Sequence, residues 1–179
     1  EEAKRDRLLL EMTGTITRTG GWEYFPSEAR VAWSREVYRI HEVEDGFSPD
    51  LENALSFYSP ESKRRMVDAL ERCENESTPF DLELQIVTAQ GRPLWVRSIG
   101  RRETLEGNNN YRLFGAFQDI TDHKNAEFEL MASSEQLQLA LSSAAMGRRD
   151  WDVPEGKVRQ DENSAHILGF EVAEMELTT

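Results

Sequence analysis

Cysteine is almost missing from this chain, in which Cys73 stands alone. A single thiol cannot build a disulfide framework or a thiolate metal cluster within one chain, so both are excluded as sources of stability. A reducing compartment suits such a sequence best, and we expect a cytoplasmic protein.

Long apolar runs are missing as well. No segment approaches the roughly 18 consecutive apolar residues that a membrane-spanning helix needs. The charged stretch at residues 1–7 is not followed by an apolar segment of signal-peptide length. We therefore expect no direct membrane insertion by this chain, and a membrane segment elsewhere in a parent protein is compatible with that expectation.

Positive charge is scarce and scattered. Lys and Arg total 21 against 34 Asp and Glu, which gives a net charge of −13. Nucleic acids and anionic membrane surfaces both require clustered basic residues, so neither is an expected partner. The apolar content of 38% is below the average for globular proteins and indicates one packed core with exposed linkers.

Catalytic signatures are not found either. The sequence has no Gly-rich phosphate loop, no kinase motif and no nucleophile–base pairing. The three histidines, His41, His123 and His166, are interpreted as surface or linker residues. We therefore expect that the chain itself is not an enzyme.

What the sequence does contain is an internal repeat. When the chain is shifted by 127 residues, the segment from Leu10 to Glu44 matches the segment from Leu137 to Glu171 without gaps. This pattern predicts tandem modules, of which the second is only begun. The predicted organisation is a linker helix at 1–17, a module at 18–121, a linker or coiled-coil helix at 122–146 and the start of a second module at 147–179.

Within the first module the pattern predicts an α+β order. Ser34 is a candidate cap for one short helix, and Ser59-Pro60 opens the longer helix. The predicted strands lie at 21–25, 30–33, 80–86, 94–102 and 111–120, the short helices at 35–40 and 49–55, the last hairpin loop at 106–110 and the linker helix at 122–145.

In this order the chain resembles a PAS domain of the sensory-box subclass, over roughly residues 10–125. That resemblance implies a five-stranded antiparallel sheet with short helices on one face, flanked by linker helices. Where relatives often carry His-Pro-Glu-Asp, this chain has Ser59-Pro60-Glu61-Ser62, so any role of that His and Asp is lost. The matching motifs are Gly21-Trp22-Glu23-Tyr24, Trp33-Ser34 with Glu36-Val37-Tyr38 and Ile40, Ser59-Pro60-Glu61, Pro79-Phe80 with Leu82-Glu83, Gly91 with Trp95-Val96-Arg97-Ser98, and Gly115 with Gln118-Asp119-Ile120-Thr121.

A ligand pocket is expected on the concave face of the implied sheet. Small residues would leave room there, larger apolar residues would form its walls, and two aromatic residues would close it from the helical side. A filled core without any ligand is the alternative. The predicted pocket residues are Ser98, Gly100 and Gly115, then Leu84, Ile86, Val96, Leu113 and Phe117, and finally Trp33 and Tyr38.

The same resemblance indicates which cofactors to expect. Haem-binding relatives place a His on the longer helix or near it. In this chain the longer helix has no His, so His41 is only a remote candidate for a haem ligand. Photoactive flavin relatives need an Asn-Cys-Arg motif that Cys73 does not provide, and Phe117 stands where they carry Gln. Haem and flavin are therefore not expected, and a small apolar metabolite is the expected kind of ligand if one binds.

The other sheet face and the exit from the module carry the remaining expectations. Apolar and charged side chains on the opposite face predict a partner surface, with coverage by the chain's own helix as the alternative. The resemblance implies a signal exit that passes a change in sheet packing to the following helix. The predicted interaction-face residues are Trp95, Arg97, Ile99 and Phe114, and the exit residues are Asp119, Ile120 and Thr121.

These expectations define the predicted function. It is a sensory and protein-interaction input module of a multi-domain bacterial signalling protein, with a histidine kinase of a two-component system as the expected parent. The alternatives are a ligand-free dimerisation or spacer module, or the input domain of a diguanylate cyclase or phosphodiesterase. The expected partners are a second copy, bound through the linker helices and the sheet face, and neighbouring domains of the same chain.

Overall fold

A computed structural model describes residues 5, 12–44, 46–105 and 110–143, and from the remaining chain residues 149–152, 154, 157–160, 164, 166 and 167. The chain divides into two units, 1–124 and 125–179. Parts of the predicted N-terminal linker, of the 106–110 loop, of the 122–146 helix and of the 147–179 segment lie outside the described residues. Among the described residues, no helix combines the length and apolarity needed to cross a bilayer.

The described part of the first unit contains a helical segment at 12–17, five strands, three helices and the start of the final helix. The sheet is antiparallel throughout and has the strand order β2-β1-β5-β4-β3. This architecture confirms the predicted α+β, five-stranded fold. The strands are β1 (Thr19–Phe25), β2 (Arg30–Trp33), β3 (Phe80–Val87), β4 (Pro93–Thr104) and β5 (Tyr111–Asp119), and the helices are α1 (Arg35–His41), α2 (Leu51–Ser56) and α3 (Pro60–Glu76).

The helix ends follow from local chemistry. Ser59 caps α3, where its side chain accepts from the Ser62 amide, and Pro60 takes the first position. Asp50 and Asn53 form a reciprocal capping box at α2. Ser34 occupies the N-cap position of α1 without a side-chain capping bond. Its hydroxyl instead accepts from the Gly21 amide at 3.0 Å, which ties α1 to β1.

The core lies between one sheet face and the helices. Strict alternation along β4 buries Leu94, Val96 and Ser98 on the inner face and leaves Arg97 exposed on the other. Opposite the sheet, α1 and α3 supply buried residues at helical spacing. These buried helical residues are Val37 and Ile40 from α1, and Met66, Ala69 and Cys73 from α3.

The final helix, α4 (Thr121–Ser143), begins in the first unit directly after β5. In the second unit, β6 (Arg149–Asp152) and β7 (Lys157–Gln160) form a two-stranded antiparallel sheet. The observed start of α4 is Thr121, one residue before the predicted start. The Thr121 amide donates to the Asp119 carboxylate at 2.9 Å, and this bond helps to begin the helix at Thr121.

Candidate functional site: an internal cavity and the exit from the sheet

A cavity of about 60 Å³ lies between the inner face of the sheet and the three helices of the first unit. Strands β1, β2, β4 and β5 supply one wall, and α1, α2 and α3 with their connections supply the other. The lining consists of Trp22, Tyr24, Val31, Trp33, Val37, His41, Leu51, Ala54, Leu55, Tyr58, Met66, Leu70, Ser98 and Phe117.

The predicted pocket residues take two different places. Trp33, Ser98 and Phe117 line the cavity. Tyr38 packs its ring edge against Trp33, 5.6 Å between centroids, outside the lining set. The four aliphatic wall residues belong to the filled part of the core, where none is more than 1% exposed. They are Leu84, Ile86, Val96 and Leu113.

The two predicted glycines serve close packing. A Cβ at Gly100 would lie 2.3 Å from the Phe80 ring and 2.8 Å from the Trp22 ring, so those aromatic rings fill the space that glycine leaves. A Cβ at Gly115 would lie 1.7 Å from the backbone oxygen of Ile99. Gly115 therefore permits the close approach of β5 to β4.

His41 is the lining residue that the sequence interpretation misplaced. It was expected at the surface, yet it is 2% exposed. Its ring stacks on Trp33 at 4.4 Å and on Phe117 at 5.0 Å between centroids, and Phe57 meets it edge-on. Burial lowers the pKa of His41 to about 4, against the opposing influence of its bond to the Val37 carbonyl. The ring is therefore neutral at physiological pH.

A helical pattern in the sequence pointed to this burial. Val37, Ile40 and His41 stand at positions i, i+3 and i+4, which share one face of a helix, and all three are buried. The periodicity of the two aliphatic residues could therefore have placed His41 in the core.

Further polar groups surround the cavity. The Trp22 indole Nε1 is buried and has no hydrogen-bond partner within the described part of the chain. Tyr58 also lines the space, and burial raises the pKa of its phenol. Ser98, only 1% exposed, adds a hydroxyl from β4. The lining thus combines an apolar surface with a few polar atoms, and none of the described residues in it is Asp, Glu, Lys or Arg.

The cavity volume limits what can enter. An engineered apolar cavity of roughly 150 Å³ binds a benzene molecule. At about 60 Å³ this space is less than half that size, whereas the three fused rings of a flavin, or a haem, are much larger than benzene. Within the described ranges no group of three or more His, Cys, Asp or Glu side chains is arranged to hold a metal ion. Cys73 is buried in α3, and desolvation raises the pKa of its thiol.

The exit residues join the end of β5 to the start of β4. The Thr121 hydroxyl accepts from the Trp95 amide at 3.0 Å and donates to the Trp95 carbonyl at 3.3 Å. The Ile120 amide donates to the same carbonyl at 2.9 Å. The first turn of α4 is therefore fastened to β4 through both backbone groups of one residue.

Arg18 adds a second attachment at this junction. Its carbonyl accepts from the Asp119 amide at 3.0 Å. Its guanidinium lies 2.8 Å from the Asp122 carboxylate and 3.6 Å from that of Asp119. Because Arg18 immediately precedes β1, the segments entering and leaving the sheet meet at one place.

The outer sheet face carries the four residues predicted to meet a partner. Ile99 is 39% exposed and Arg97 is exposed, while Trp95 and Phe114 are half-buried. Lys124, from the first turn of α4, lies over the Trp95 ring at 5.7 Å. The outer sheet face, defined by Trp95, Arg97, Ile99 and Phe114, is thus partly covered by the start of α4.

Comparison with known proteins identifies this architecture. Residues 30–117 match the sequence profile of the family described as PAS fold. This match covers α1–α3, β2–β4 and most of β5, and so includes most of the cavity lining. The first unit is a PAS domain. It is a sensory module, a class of domain that is not catalytic.

Solved structures of PAS domains resemble it over most of their length. A sensory box histidine kinase/response regulator from Burkholderia thailandensis superposes with a TM-score of 0.58 and 25% identity, over 72% of this chain and 97% of that one. The N-terminal domain of a diguanylate cyclase with PAS/PAC sensor from Marinobacter aquaeolei gives a TM-score of 0.53 and 13% identity, over 59% and 98% of the two chains.

A curated relative is the Escherichia coli K12 protein named Probable diguanylate cyclase DgcE. It is 21% identical over 141 residues, which are 77% of this chain and 13% of that protein. The matched region is therefore a small part of a much longer signalling protein.

Proposed function

We propose that the PAS domain is an input module that passes the state of its cavity to α4 through the Thr121–Trp95 attachment. The observation that carries this proposal is continuity along two strands. Ser98 of β4 and Phe117 of β5 line the cavity, and both strands reach the exit junction within a few residues, at Trp95 and Asp119. At about 3.3 Å per residue, the cavity wall and the junction are roughly 10 Å apart along β4.

A shift in sheet packing at Ser98 therefore acts on the start of α4 with few intervening contacts. Thr121 holds its position through two hydrogen bonds to one residue of β4. Two-state coupling requires that an occupied and an empty cavity favour different arrangements of this attachment. Arg18 would make the segment that enters the domain sensitive to the same change.

The relay can be tested without knowing the ligand. Ala54 of α2 lines the cavity, so A54L places extra volume there in the manner of an occupant. Glu52 of the same helix is exposed, and E52L is the matched control. We expect A54L, and not E52L, to change hydrogen exchange at the Lys124 amide, which bonds the Ile120 carbonyl at 2.9 Å.

The same experiment includes the attachment itself. T121V removes the hydroxyl that bonds Trp95, and the effect of A54L at Lys124 should disappear in that background. Unchanged exchange at Lys124 in A54L would show that cavity and helix are uncoupled, and the relay would be abandoned.

The parent is proposed to be a cytoplasmic histidine kinase of a two-component system. Support comes from the histidine kinase/response regulator of Burkholderia thailandensis, which is 25% identical. A diguanylate cyclase is the second candidate, supported by the similarity to part of DgcE. Autophosphorylation or cyclic-dinucleotide synthesis by the full-length protein would distinguish the two parents.

A tandem arrangement is supported by the register of the second hairpin. In β1–β2 the residue pairs are Trp22–Trp33, Glu23–Ala32, Tyr24–Val31 and Phe25–Arg30. Adding 127 to each number gives the pairs observed in β6–β7, which are Arg149–Gln160, Asp150–Arg159, Trp151–Val158 and Asp152–Lys157. We propose that β6–β7 is the opening hairpin of a second PAS domain, joined to the first by α4.

A ligand-free dimerisation or spacer module is the alternative function. Exposed apolar side chains along α4 favour it, because a helix with such residues gains stability when a second copy covers them. Leu130 is 71% exposed, Met131 63% and Leu137 54%. Hydrogen exchange in A54L would decide between them: under the alternative, A54L leaves exchange at Lys124 unchanged although analytical ultracentrifugation shows a stable dimer.

A further inference from the structure

The tautomer of His41 determines what its second ring nitrogen can do. Its Nδ1 lies 2.9 Å from the Val37 carbonyl oxygen, which can only accept a hydrogen bond. Nδ1 therefore carries the proton, and Nε2 of the neutral ring is left as an acceptor. Within the described chain, no residue donates to Nε2. The ring is almost fully buried and lines the cavity, and buried acceptors in proteins usually have a hydrogen-bond donor. We therefore look for a donor to Nε2 inside the cavity.

Donors and hydroxyls stand around the same space. Trp22 has a buried indole N–H without a partner in the described residues. Ser98 and Tyr58, which also line the cavity, carry hydroxyls that can donate or accept. One hydroxyl group on a ligand both donates and accepts, so it can satisfy His41 Nε2 and one of these neighbours together.

The rest of the lining selects against charge and size. Val37, Leu55, Met66 and Phe117 present carbon and sulfur surfaces, and among the residues that the structure describes no ionised side chain lines the cavity to neutralise a charged ligand. The volume of about 60 Å³ admits a ligand smaller than benzene.

We propose that this cavity binds a small uncharged hydroxyl compound whose O–H donates to Nε2 of His41. The proposal rests on the sensory function above and specifies the chemical class of its ligand. A bound water could satisfy the same polar atoms, but the apolar walls gain stability only from an organic ligand that covers them.

The test compares two probes of the same shape at pH 7. Ethanol carries the hydroxyl and is smaller than benzene, and fluoroethane replaces the hydroxyl with fluorine, which cannot donate. Long-range ¹H–¹⁵N spectra of the intact chain report directly on the histidine ring nitrogens, and amide spectra report binding of either probe. We expect ethanol to move the Nε2 resonance of His41 upfield, while His123 and His166 stay in place.

The variant H41F keeps an aromatic ring between Trp33 and Phe117 and removes the acceptor. Losing one neutral hydrogen bond should weaken ethanol binding, measured from amide shifts, roughly three- to tenfold. Binding of fluoroethane, measured in the same way, should change by less than about twofold because fluoroethane never used the acceptor. The spectra of unmodified protein keep the test valid even if H41F does not fold.

Each result decides the proposal. Movement of Nε2 with selective loss of ethanol binding in H41F supports it. Equal binding of both probes, without movement of Nε2, overturns the hydroxyl requirement and leaves an apolar sensing cavity intact. No response to either probe, up to the highest concentration that leaves the fold intact, also overturns it, as expected if water alone occupies the space. The relay is then still judged by A54L, which needs no ligand.

Discussion

The hairpins β1–β2 and β6–β7 share a register and differ in surroundings. In the first, β1 pairs on its other edge with β5, and Tyr24 is half-buried against the cavity. In the second, the described residues form a two-stranded sheet, and Trp151, which corresponds to Tyr24, is 67% exposed. The same local pattern therefore yields the same pairing in both units.

This difference separates two levels of structure. The pairing register of a hairpin follows from the turn and the alternation of its strands, which lie close together in the sequence. Stability needs further strands or a helix against the hydrophobic face, because a lone two-stranded hairpin is marginal in water. For β1–β2 those neighbours are β5 and α1, the latter tied to β1 by Ser34.

The largest effect is expected where β5 completes the sheet around the first hairpin. G115A would place a methyl group 1.7 Å from the Ile99 oxygen, a backbone atom that cannot move aside without shifting β4. We expect a loss of at least about 3 kcal/mol in urea unfolding followed by circular dichroism. The matched control is G21A, whose nearest neighbour is 3.8 Å away and whose cost should stay below about 1 kcal/mol. Equal unfolding midpoints would contradict the close packing of β5.

The corresponding residues of the two hairpins test the comparison directly. Y24S removes an aromatic ring that is half-buried against the cavity, and we expect it to cost the first unit about 2 kcal/mol. W151S removes a larger ring that is 67% exposed, so the stability of the first unit should change by less than about 0.5 kcal/mol. Thermal unfolding of both variants measures this. Comparable losses would mean that Trp151 is buried in solution.

Acid should weaken the first unit through His41, which stacks on Trp33 of β2. Its pKa is about 4 in the folded protein against 6.5 for the ordinary side chain. As the pH falls below 6.5, His41 binds a proton in the unfolded chain but not in the folded chain. The free energy of unfolding therefore decreases until about pH 4. Between pH 7.5 and pH 5 the loss from this residue should be about 2 kcal/mol.

Comparison with H41F isolates this contribution from the carboxylates. The variant should lose less stability than the unmodified protein over the same pH interval, by about the same 2 kcal/mol. Parallel pH profiles for the two proteins would show that His41 is accessible to protons in the folded state.

The alternation of polar and apolar residues was enough to predict β3, β4 and β5 and their inner faces, while the turn at 26–29 predicted β1 and β2. Ser59-Pro60 predicted the start of α3, and the spacing of Leu94, Val96 and Ser98 predicted the inner face of β4. These features depend on neighbours in the sequence, which is why a sequence can reveal them.

Occupancy of the space between the elements could not be predicted in the same way. The residue type at Gly100 indicates a missing side chain, but only the packed structure shows that Phe80 and Trp22 fill the gap. The unused donor of Trp22 likewise depends on atoms distant in the sequence. Cavity shape is a sum of many such long-range contacts, and no local pattern encodes it.

The smallest expected effect concerns the last residue pair of each hairpin. In β1–β2 this pair is Phe25–Arg30, where the guanidinium lies 4.0 Å from the ring centroid, while the corresponding pair in β6–β7 is Asp152–Lys157. R30Q should cost about 0.5 kcal/mol, since an exposed cation–π contact and the exposed ion pair with Glu28 are both weak. R30K is the matched control that keeps the charge and should recover part of this loss.

Salt separates the two contacts of Arg30. If the ion pair carried the effect, 1 M salt would remove the difference between R30Q and the unmodified protein, because charges on the surface are screened within about 3 Å at that concentration. If the difference in stability survives in 1 M salt, the effect of R30Q comes from the contact with the Phe25 ring. The first hairpin is then insensitive to ionic strength at this position, whereas an Asp–Lys pair would be sensitive to it.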